Sequence, residues 1–341
     1  MALAACGGDD DGAGPSGGGE AAPARTTVAT GLEVPWSIAF LPGGDALVSE
    51  RDSGRILRVA ASGGGEPREV ATVPGVAGGA GQEGGLLGLA VSPDYAQDEL
   101  VYAYYSTERD NRIARFVLGE EPEPILTGLQ RGPIHNGGRI AFGPDGNLYA
   151  GVGETGQPGL SQDGGSPNGK ILRLEPDGGV PADNPDPGSP VFSSGHRNVQ
   201  GLAWDAQDRL WATEFGQNEL DEVNLIRPGG NYGWPEVEGE GDTQGGRFTN
   251  PLVTWATDEA SPSGAAIVGG TLYVAALRGE ALLSVRLDGE RASKADPRLD
   301  GLGRIRAVSA APDGALWVAT SNRDGRGDPR DGDDRIVRLA P

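Results

Sequence analysis

Short apolar runs separated by turn residues account for most of the chain after Thr26. The repeated unit is a Pro/Asp/Gly turn, an apolar strand, a polar loop and a strand that alternates basic and aliphatic residues. Within each unit the apolar residues alternate or run for four or five positions, which is typical of strands. No segment keeps an amphipathic helical period beyond a turn or two. The pattern therefore predicts an all-β chain.

The unit occurs six times, at an irregular spacing of roughly 40 to 65 residues. Clear copies are LPGGDALVSERDSGRILRV, GPDGNLYAGVGETG with GKILRLEPDG, and APDGALWVATSNRDGRG with DDRIVRLAP. We predict an all-β six-bladed β-propeller of four-stranded antiparallel blades over residues 26–341, with the strand around Thr27–Ala29 completing the last blade. A pair of β-sandwiches is the alternative, but it would not produce six copies of one unit.

The composition limits the classes of partner. A formal net charge of −21 argues against binding to nucleic acid or to an anionic membrane surface, since both need clustered Lys and Arg. The same charge suits divalent cations. Because no run of eighteen apolar residues exists, we expect no membrane-spanning helix.

The single cysteine, Cys6, lies in a glycine-rich and acidic N-terminal segment. The sequence Leu3-Ala4-Ala5-Cys6 has the form of a bacterial lipobox, although the charged and long apolar regions of a secretory signal are missing. We predict that residues 1–25 are a disordered, lipoprotein-like tether, which implies an extracytoplasmic location. An ordinary disordered tail is the alternative.

The segment GVGETG, residues 151–156, matches the G-x-G-x-x-G pattern of dinucleotide-binding loops. That pattern binds a pyrophosphate only where a helix follows. The next residues, QPGLSQDGGSPNG, are incompatible with a helix, so the nicotinamide interpretation fails. Glu154 remains as a carboxylate near the end of a strand.

Two histidine-containing loops carry candidate chemistry. His135 precedes an apolar strand in IHNGGRIAF, and GHRNVQGLAW places Arg197, Asn198 and Gln200 next to His196. Arginine presents a rigid fork to anionic oxygens, while Asn and Gln bind carbonyl groups. A structural turn would not need all three of these side chains.

Acidic residues and an arginine pair complete the set. Glu214, Glu219, Asp221 and Glu222 surround Gly216, which favours calcium over the alternative of a solvated acidic loop. Late in the chain, GRIRAV sets Arg304 and Arg306 two positions apart. On a strand they would face one side, where two like charges usually need an anion between them.

Taken in order, these motifs resemble the soluble quinoprotein glucose/sorbosone dehydrogenases, which include bacterial aldose sugar dehydrogenases. The resemblance extends from about Thr26 to Leu339 and rests on GQEGGLLGLAVSPDY, IHNGGRIAFGPDGNLY, GHRNVQGLAW, DEVNLIRPGGNYGWP and RIRAVSAAPDG. It implies a six-bladed propeller that holds pyrroloquinoline quinone (PQQ) and calcium at the mouth of its channel.

The resemblance also implies roles for single residues. His135 would be the base that removes the anomeric hydroxyl proton, and Glu154 would orient it from a position where the family usually has aspartate. Arg197 would polarise the quinone. The residues implied to bind PQQ are Gln82, Arg197, Asn198, Gln200, Arg278, Arg304 and Arg306.

For calcium, the resemblance implies the backbone carbonyls of Gly216 and Gln217, supported by Asp221. A second calcium near Glu238, Glu240 and Asp242 stays an alternative. Three positions depart from the family pattern: Glu154 replaces aspartate, Gln217 replaces a common proline, and Arg278 replaces a frequent lysine.

The leading hypothesis is PQQ-dependent oxidation of an aldose, with an electron acceptor that the sequence does not identify. A calcium-dependent hydrolase of the lactonase kind and a noncatalytic binding propeller are the alternatives. A lactonase has no use for the arginine pair at 304 and 306. The three departures from the family pattern keep the noncatalytic binding propeller as an alternative.

Overall fold

Twenty-four strands and very little helix make up the computed structural model, which describes Met1 and residues 25–79 and 81–340. The helical elements are α1 (Tyr95–Asp98) and two 3-10 turns (Pro158–Ser161 and Gln244–Gly246). None of the described helices is long and apolar enough to cross a membrane. Cys6 and the predicted tether lie outside the described residues.

The strands form six sheets of four, and neighbouring strands in each sheet are antiparallel. The first strand, β1 (Arg25–Ala29), belongs to the last blade. Blade 1 contains β2 (Pro35–Phe40), β3 (Ala46–Glu50), β4 (Arg55–Val59) and β5 (Arg68–Thr72). Blade 2 contains β6 (Leu86–Val91), β7 (Leu100–Ser106), β8 (Asn111–Val117) and β9 (Glu123–Leu129). Blade 3 contains β10 (Ile140–Phe142), β11 (Leu148–Val152), β12 (Lys170–Leu174) and β13 (Val191–Ser194).

The second half of the chain repeats this arrangement. Blade 4 contains β14 (Val199–Trp204), β15 (Leu210–Glu214), β16 (Leu220–Ile226) and β17 (Val253–Ala256). Blade 5 contains β18 (Pro262–Val268), β19 (Thr271–Ala276), β20 (Leu282–Asp288) and β21 (Arg291–Leu299). Blade 6 contains β22 (Ile305–Ala310), β23 (Leu316–Thr320), β24 (Ile336–Leu339) and β1. The predicted six-bladed propeller is confirmed.

The first strand of each blade lies at the centre of the ring. The strands β2, β6, β10, β14, β18 and β22 contact their counterparts in the neighbouring blades. The second strand of a blade lies between two others, and β3, β11, β15 and β23 are buried at all five positions. This explains the short continuous apolar runs in the sequence.

The Pro/Asp/Gly turns join the first and second strands. Between β10 and β11 the carboxylate of Asp145 accepts the backbone N–H of Asn147 at 3.1 Å, and Gly146 has a φ of 77°. A residue with a side chain is strained at such a positive φ, so glycine is favoured here. The turn fixes the register that pairs Phe142 with Leu148.

The hydrophobic core lies mainly between adjacent blades. Phe40 of blade 1 meets Trp317 of blade 6 edge to face, with ring centroids 5.1 Å apart. Tyr102 and Phe142 join blades 2 and 3 in the same way at 4.9 Å. The predicted closure is confirmed, because β1 pairs with β24 and places Val28 in the core shared by blades 1 and 6.

Candidate active site

Loops at one end of the propeller bring most candidate residues together. In each antiparallel blade, the segment entering the first strand lies at the same end as the turn between the second and third strands. The entering segments carry Gln82, His135, Arg197 and Arg304, and the turns carry Glu154, Gly216, Gln217 and Arg278. Five blades, 2 to 6, thus bring their candidate residues to one face.

A narrow cavity lies at the centre of this face. Its lining residues are Trp36, Arg51, Glu83, Asn136, Gly137, Gln200, Phe215, Leu277, Arg306 and Arg326. This central cavity therefore contains two predicted side chains, Gln200 and Arg306. It also contains a carboxylate, Glu83, that the sequence analysis missed.

His135 has an unusual backbone conformation. Its φ of 52° is in the left-handed region, which few residues with a side chain adopt. The surrounding chain holds it there: its N–H donates to Oε2 of Glu83 at 2.8 Å, and its carbonyl accepts the N–H of Thr155 at 3.1 Å. Only 11% of the side chain is exposed, so the imidazole has a fixed and largely dry position.

Glu154 contacts the imidazole of His135. Oε1 of this buried carboxylate lies within hydrogen-bonding distance of Nδ1. A carboxylate only accepts, so the contact favours a proton on Nδ1 and leaves Nε2 to accept one. The structure thus brings the two residues together, and the longer side chain of glutamate makes the contact.

The glycines of GVGETG serve packing around this pair. A Cβ atom at Gly153 would lie 2.0 Å from the carbonyl oxygen of His135, and one at Gly151 would lie 2.8 Å from the side chain of Val199. Only glycine, which has no Cβ atom, allows the backbone to come this close to its neighbours. The helical element that follows is the four-residue 3-10 turn Pro158–Ser161, which agrees with rejecting a dinucleotide site.

Glu83, rather than its neighbour Gln82, lies in the central cavity. Gln82 is exposed and accepts a hydrogen bond from Arg131 at 3.0 Å. Glu83 binds the His135 backbone through Oε2 and the Arg326 guanidinium through Oε1 at 3.1 Å. Burial opposes ionisation, but these two partners hold the pKa of the Glu83 carboxyl below its ordinary value. Polarity alone does not separate adjacent Gln and Glu, so the sequence carried no signal for this choice.

Amide side chains connect blades 3, 4 and 6 beneath His135. Oδ1 of Asn198 accepts the N–H of Gly137 at 3.0 Å and Nε2 of Gln200 at 3.2 Å. Oε1 of Gln200 then accepts Nη1 of Arg306 at 3.1 Å. The predicted residues Asn198, Gln200 and Arg306 therefore form one buried network.

Two buried guanidinium groups flank the indole of Trp36. Arg139 stacks on this ring at 4.2 Å, and Arg306 lies 5.8 Å from its centroid. Burial lowers the pKa of both arginines, and their mutual repulsion lowers that of Arg139 further. Among the described residues, Nη2 of Arg139 and Nε of Arg306 have no hydrogen-bond partner. Buried cations with free N–H groups fit an anionic ligand.

Arg197 lies beside the His135 pair. Its Nη1 donates to the carbonyl of Phe215 at 3.1 Å, and its guanidinium lies 5.5 Å from the ring of Trp234. Burial lowers its pKa, although Glu154 and Glu214 oppose that shift. Within the described part of the chain its buried Nε has no partner, which leaves a donor for an oxygen ligand.

The other two predicted arginines have different surroundings. Arg304 precedes β22, and its guanidinium forms an ion pair with the buried Asp324 at 2.9 Å. This arginine therefore already has an anion, which the sequence analysis did not foresee. Arg278 is exposed and donates to the carbonyl of Thr257 at 3.1 Å.

Glu214 organises the entry to blade 4. Its Oε2 accepts the backbone N–H groups of Arg197 at 2.5 Å and Asn198 at 3.1 Å. Its Oε1 lies 3.2 Å from Nδ1 of His196, whose ring is fully buried and stacks on Tyr232 at 4.8 Å. Glu214 and His196 hence support the loop, and one of the predicted acidic residues has a structural partner.

The turn at Gly216 and Gln217 lies next to Arg197. Oδ1 of Asp221 accepts the N–H of Gly216 at 2.9 Å, and Oδ2 accepts the N–H of Ser261 at 2.7 Å. Burial raises the pKa of Asp221 to about 6. In residues 25–79 and 81–340, no donor is hydrogen-bonded to the carbonyl oxygens of Gly216 and Gln217. Free carbonyl oxygens near a buried carboxylate fit a hard cation such as calcium.

The residues considered for a second calcium do not converge in this structure. Oε1 of Glu238 accepts backbone N–H groups of the 217–220 turn, Glu240 is exposed, and Asp242 accepts the N–H of Gln244 at 2.9 Å. Across the described ranges, no three His, Cys, Asp or Glu side chains are grouped to hold a metal. The second calcium stays an untested alternative.

Comparison with known proteins gives consistent matches. A solved PQQ-bound aldose sugar dehydrogenase from Streptomyces coelicolor is 53% identical, with a TM-score of 0.88 over 94% of this chain and 98% of that one. The aldose sugar dehydrogenase YliI of Escherichia coli is 30% identical over 86% of this chain and 89% of the relative. The quinoprotein glucose dehydrogenase B of Acinetobacter calcoaceticus is 32% identical over 66% of this chain, which spans 55% of that relative.

The family profile described as Glucose / Sorbosone dehydrogenase matches residues 32–336. This match covers blades 1 to 5, together with β22 and β23 of blade 6, and it includes every candidate residue from Gln82 to Arg306. The resemblance inferred from the motifs is therefore confirmed, and the chain belongs to the glucose/sorbosone dehydrogenase family.

Proposed function

We propose that the protein is a PQQ-dependent aldose dehydrogenase that oxidises the anomeric carbon of a sugar to the lactone. The observation that carries the proposal is the contact between His135 and Glu154 beside the half-buried Arg197 and the buried Arg306. Within the described residues, Nε of each arginine has no hydrogen-bond partner. His135 can serve as a base, and the two arginines can bind an anion on the same face of the propeller. This arrangement suits proton abstraction next to an acidic, planar cofactor.

His135 acts as the general base. Glu154 keeps the proton on Nδ1, so that Nε2 takes the proton of the anomeric hydroxyl. Because only 11% of the His135 side chain is exposed, water has little access to this position. Glu83 fixes the backbone of His135. The chemistry that bound PQQ supplies is acceptance of the hydride from the anomeric carbon, with bound calcium polarising the quinone carbonyl.

The chain offers distinct groups to each ligand. The oxygens of PQQ would be held by Arg306, Arg197, Asn198 and Gln200. Arg304 and the exposed Arg278 would add further positive charge. The carbonyls of Gly216 and Gln217 would bind calcium, with Asp221 supporting their turn. A fixed cation such as Arg197 stabilises negative charge that develops on a reacting oxygen.

We also propose that the enzyme works outside the cytoplasm of a bacterium, anchored through a lipid on Cys6 and passing electrons to an acceptor that the chain does not identify. Mass spectrometry of natively expressed protein tests the anchor. A diacylglycerol adduct on Cys6 supports it, whereas an unmodified N-terminus with a free thiol contradicts it.

Dye reduction by the apo-protein tests the proposed activity. The chain is stripped with a chelator and assayed with monosaccharide and disaccharide aldoses, with and without PQQ and calcium. We expect reduction only when both are added, and a PQQ absorbance band that sugar changes. A protein that binds PQQ without oxidising any aldose would support the noncatalytic alternative, and lactone hydrolysis with calcium alone would support the lactonase.

A further inference from the structure

Glu238 contacts the turn formed by residues 216–220, which contains the proposed calcium ligands, from a distant part of blade 4. It belongs to the long connection between β16 and β17, residues 227–252, which folds back toward the start of β16. Its Oε1 accepts three consecutive backbone N–H groups, those of Gln217 at 2.6 Å and of Asn218 and Glu219 at 2.9 Å. The N–H of Leu220 approaches the same oxygen at 3.4 Å. One carboxylate oxygen thus accepts hydrogen bonds from the successive backbone N–H groups of this turn.

Peptide geometry links these donors to the proposed calcium ligands. In a trans peptide the C=O of one residue points opposite to the N–H of the next. The carbonyl of Gly216 shares a peptide plane with the N–H of Gln217, and the carbonyl of Gln217 shares one with the N–H of Asn218. Both N–H groups donate to Oε1 of Glu238. Both carbonyls consequently point away from Glu238, on the open side of the turn.

The neighbouring carbonyls are already used. The oxygen of Phe215 accepts Nη1 of Arg197 at 3.1 Å, and that of Asn218 accepts the hydroxyl of Thr257 at 3.4 Å. Those of Gly216 and Gln217 lie between them and, within the described residues, accept no hydrogen bond. The turn therefore offers a cation the two carbonyls whose peptides Glu238 orients.

The packing leaves little freedom to rotate these peptides. A Cβ atom at Gly216 would lie 2.1 Å from the carbonyl oxygen of Leu220 and 2.8 Å from Oε1 of Glu238. A Cβ atom at Gly239 would lie 2.4 Å from the side chain of Leu220. Glycine at both positions lets the 236–242 segment approach the turn closely enough for the carboxylate to reach its donors.

We propose that Glu238 is a positioning residue for the cation site, and that its negative charge raises the calcium affinity of the Gly216 and Gln217 carbonyls. The carboxylate fixes both peptide planes and polarises them, because a hydrogen bond at one end of a peptide strengthens the acceptor at the other. The inference rests on the proposed function for the identity of the cation. It assigns Glu238 to this site in place of a second calcium.

Calcium titration of the full chain in the presence of PQQ tests the proposal, with the PQQ absorbance band as readout. Three variants are compared with the wild type: E238Q, E238A and E240Q. Glu240 is the matched control, because it is an exposed glutamate in the same segment and its change removes the same charge. Thermal unfolding without calcium shows whether each variant is folded.

We expect the apparent Kd for calcium to rise about tenfold or more in E238A, since hydrogen bonds to a charged acceptor are among the stronger ones. E238Q keeps an acceptor oxygen but loses the charge, so its Kd should rise several-fold, while E240Q stays close to the wild type. If E238A does not fold, E238Q decides.

Three results would overturn the inference. They are an unchanged calcium Kd in folded E238Q, an equal loss of affinity in E240Q, and a second bound calcium that disappears in E240Q. A wild type that takes up neither PQQ nor calcium would overturn the proposed function as well. A wild type that takes up both, with E238Q indistinguishable from it, would contradict the role of Glu238 alone.

Discussion

The carboxylate of Glu83 accepts the backbone N–H of His135 at 2.8 Å, so a residue of blade 2 fixes the peptide that carries the proposed base of blade 3. The same carboxylate binds Arg326, which follows β23 in blade 6. The φ of 52° at His135 costs free energy, because its Cβ crowds the backbone there. Contacts among three blades therefore hold the imidazole in place.

Replacement of Glu83 by glutamine should lower stability in a pH-dependent way. The pKa of Glu83 is lowered in the folded protein, so ionisation stabilises the fold above the ordinary pKa of 4.5. This contribution is lost as pH falls through the folded pKa. We expect E83Q to lose about 1 kcal/mol of unfolding free energy near neutral pH, where the Arg326 pair is intact.

Urea denaturation of wild type and E83Q, from about pH 7 to about pH 4, measures this difference. The gap should narrow as the pH falls. E99Q is a suitable control, because the side chain of Glu99 lies on the surface at the end of α1. A gap between E83Q and the wild type that is constant with pH would show that the ionisation of Glu83 does not contribute.

His135→Ala should abolish turnover and leave PQQ binding largely intact. General base catalysis contributes about 100- to 10,000-fold, so a loss of this size is expected in kcat. Affinity for PQQ should change little, because Arg306 and Arg197 supply the charged contacts. Steady-state dye reduction and a PQQ absorbance titration measure the two quantities. Loss of both together would mean that His135 is structural.

Glu154→Gln should lower kcat without removing the fold. The amide keeps the size of the side chain but can present N–H to the imidazole, which then places its proton on the wrong nitrogen. We expect a loss of about 100-fold in turnover. Stopped-flow reduction of the PQQ-loaded protein by sugar isolates this step from reoxidation by the dye. An E154Q variant with wild-type rates would show that the contact with Nδ1 has no catalytic role.

Arg306 and Arg304 should respond in opposite ways to the same substitution. Arg306 has no carboxylate partner within hydrogen-bonding reach in the described structure, so Arg306→Met relieves a buried charge and should leave the apo-protein at least as stable as before. Arg304→Met leaves the buried carboxylate of Asp324 without its ion-pair partner, and should destabilise the apo-protein by about 3 kcal/mol.

PQQ affinity separates their roles further. Arg306→Met should weaken PQQ binding by at least about tenfold through the loss of a charged contact. Chemical denaturation and PQQ titration of both variants provide the comparison. If Arg306→Met destabilises the apo-protein more than Arg304→Met does, the presence of a carboxylate partner does not decide the stability effect of losing each arginine.

The fold could be predicted because each blade repeats the same local sequence pattern of turn residues and apolar strands. The turn at Asp145 and Gly146 and the buried run of β11 are both visible in the sequence, and so is the β1 strand that closes the ring. The positions of His135 and Glu154 followed from family motifs, and the structure places them in contact.

The remaining features depend on contacts between distant segments. Asp324 neutralises Arg304 from another loop, and Glu238 crosses from a long connection to a turn some twenty residues earlier. Neither partner has a spacing that local periodicity could reveal. The choice of Glu83 over Gln82 likewise depends on which of two adjacent side chains faces the cavity.

The pairing of β1 with β24 also has a consequence for synthesis. Arg25 lies opposite Leu339, so β1 finds its partner β24 only after the strands of all six blades have been made. Before blade 6 has been made, the apolar side chains of blade 1 that pack against Trp317 have no partner to cover them. We therefore expect the risk of aggregation through this apolar surface to end when β22, β23 and β24 close the ring.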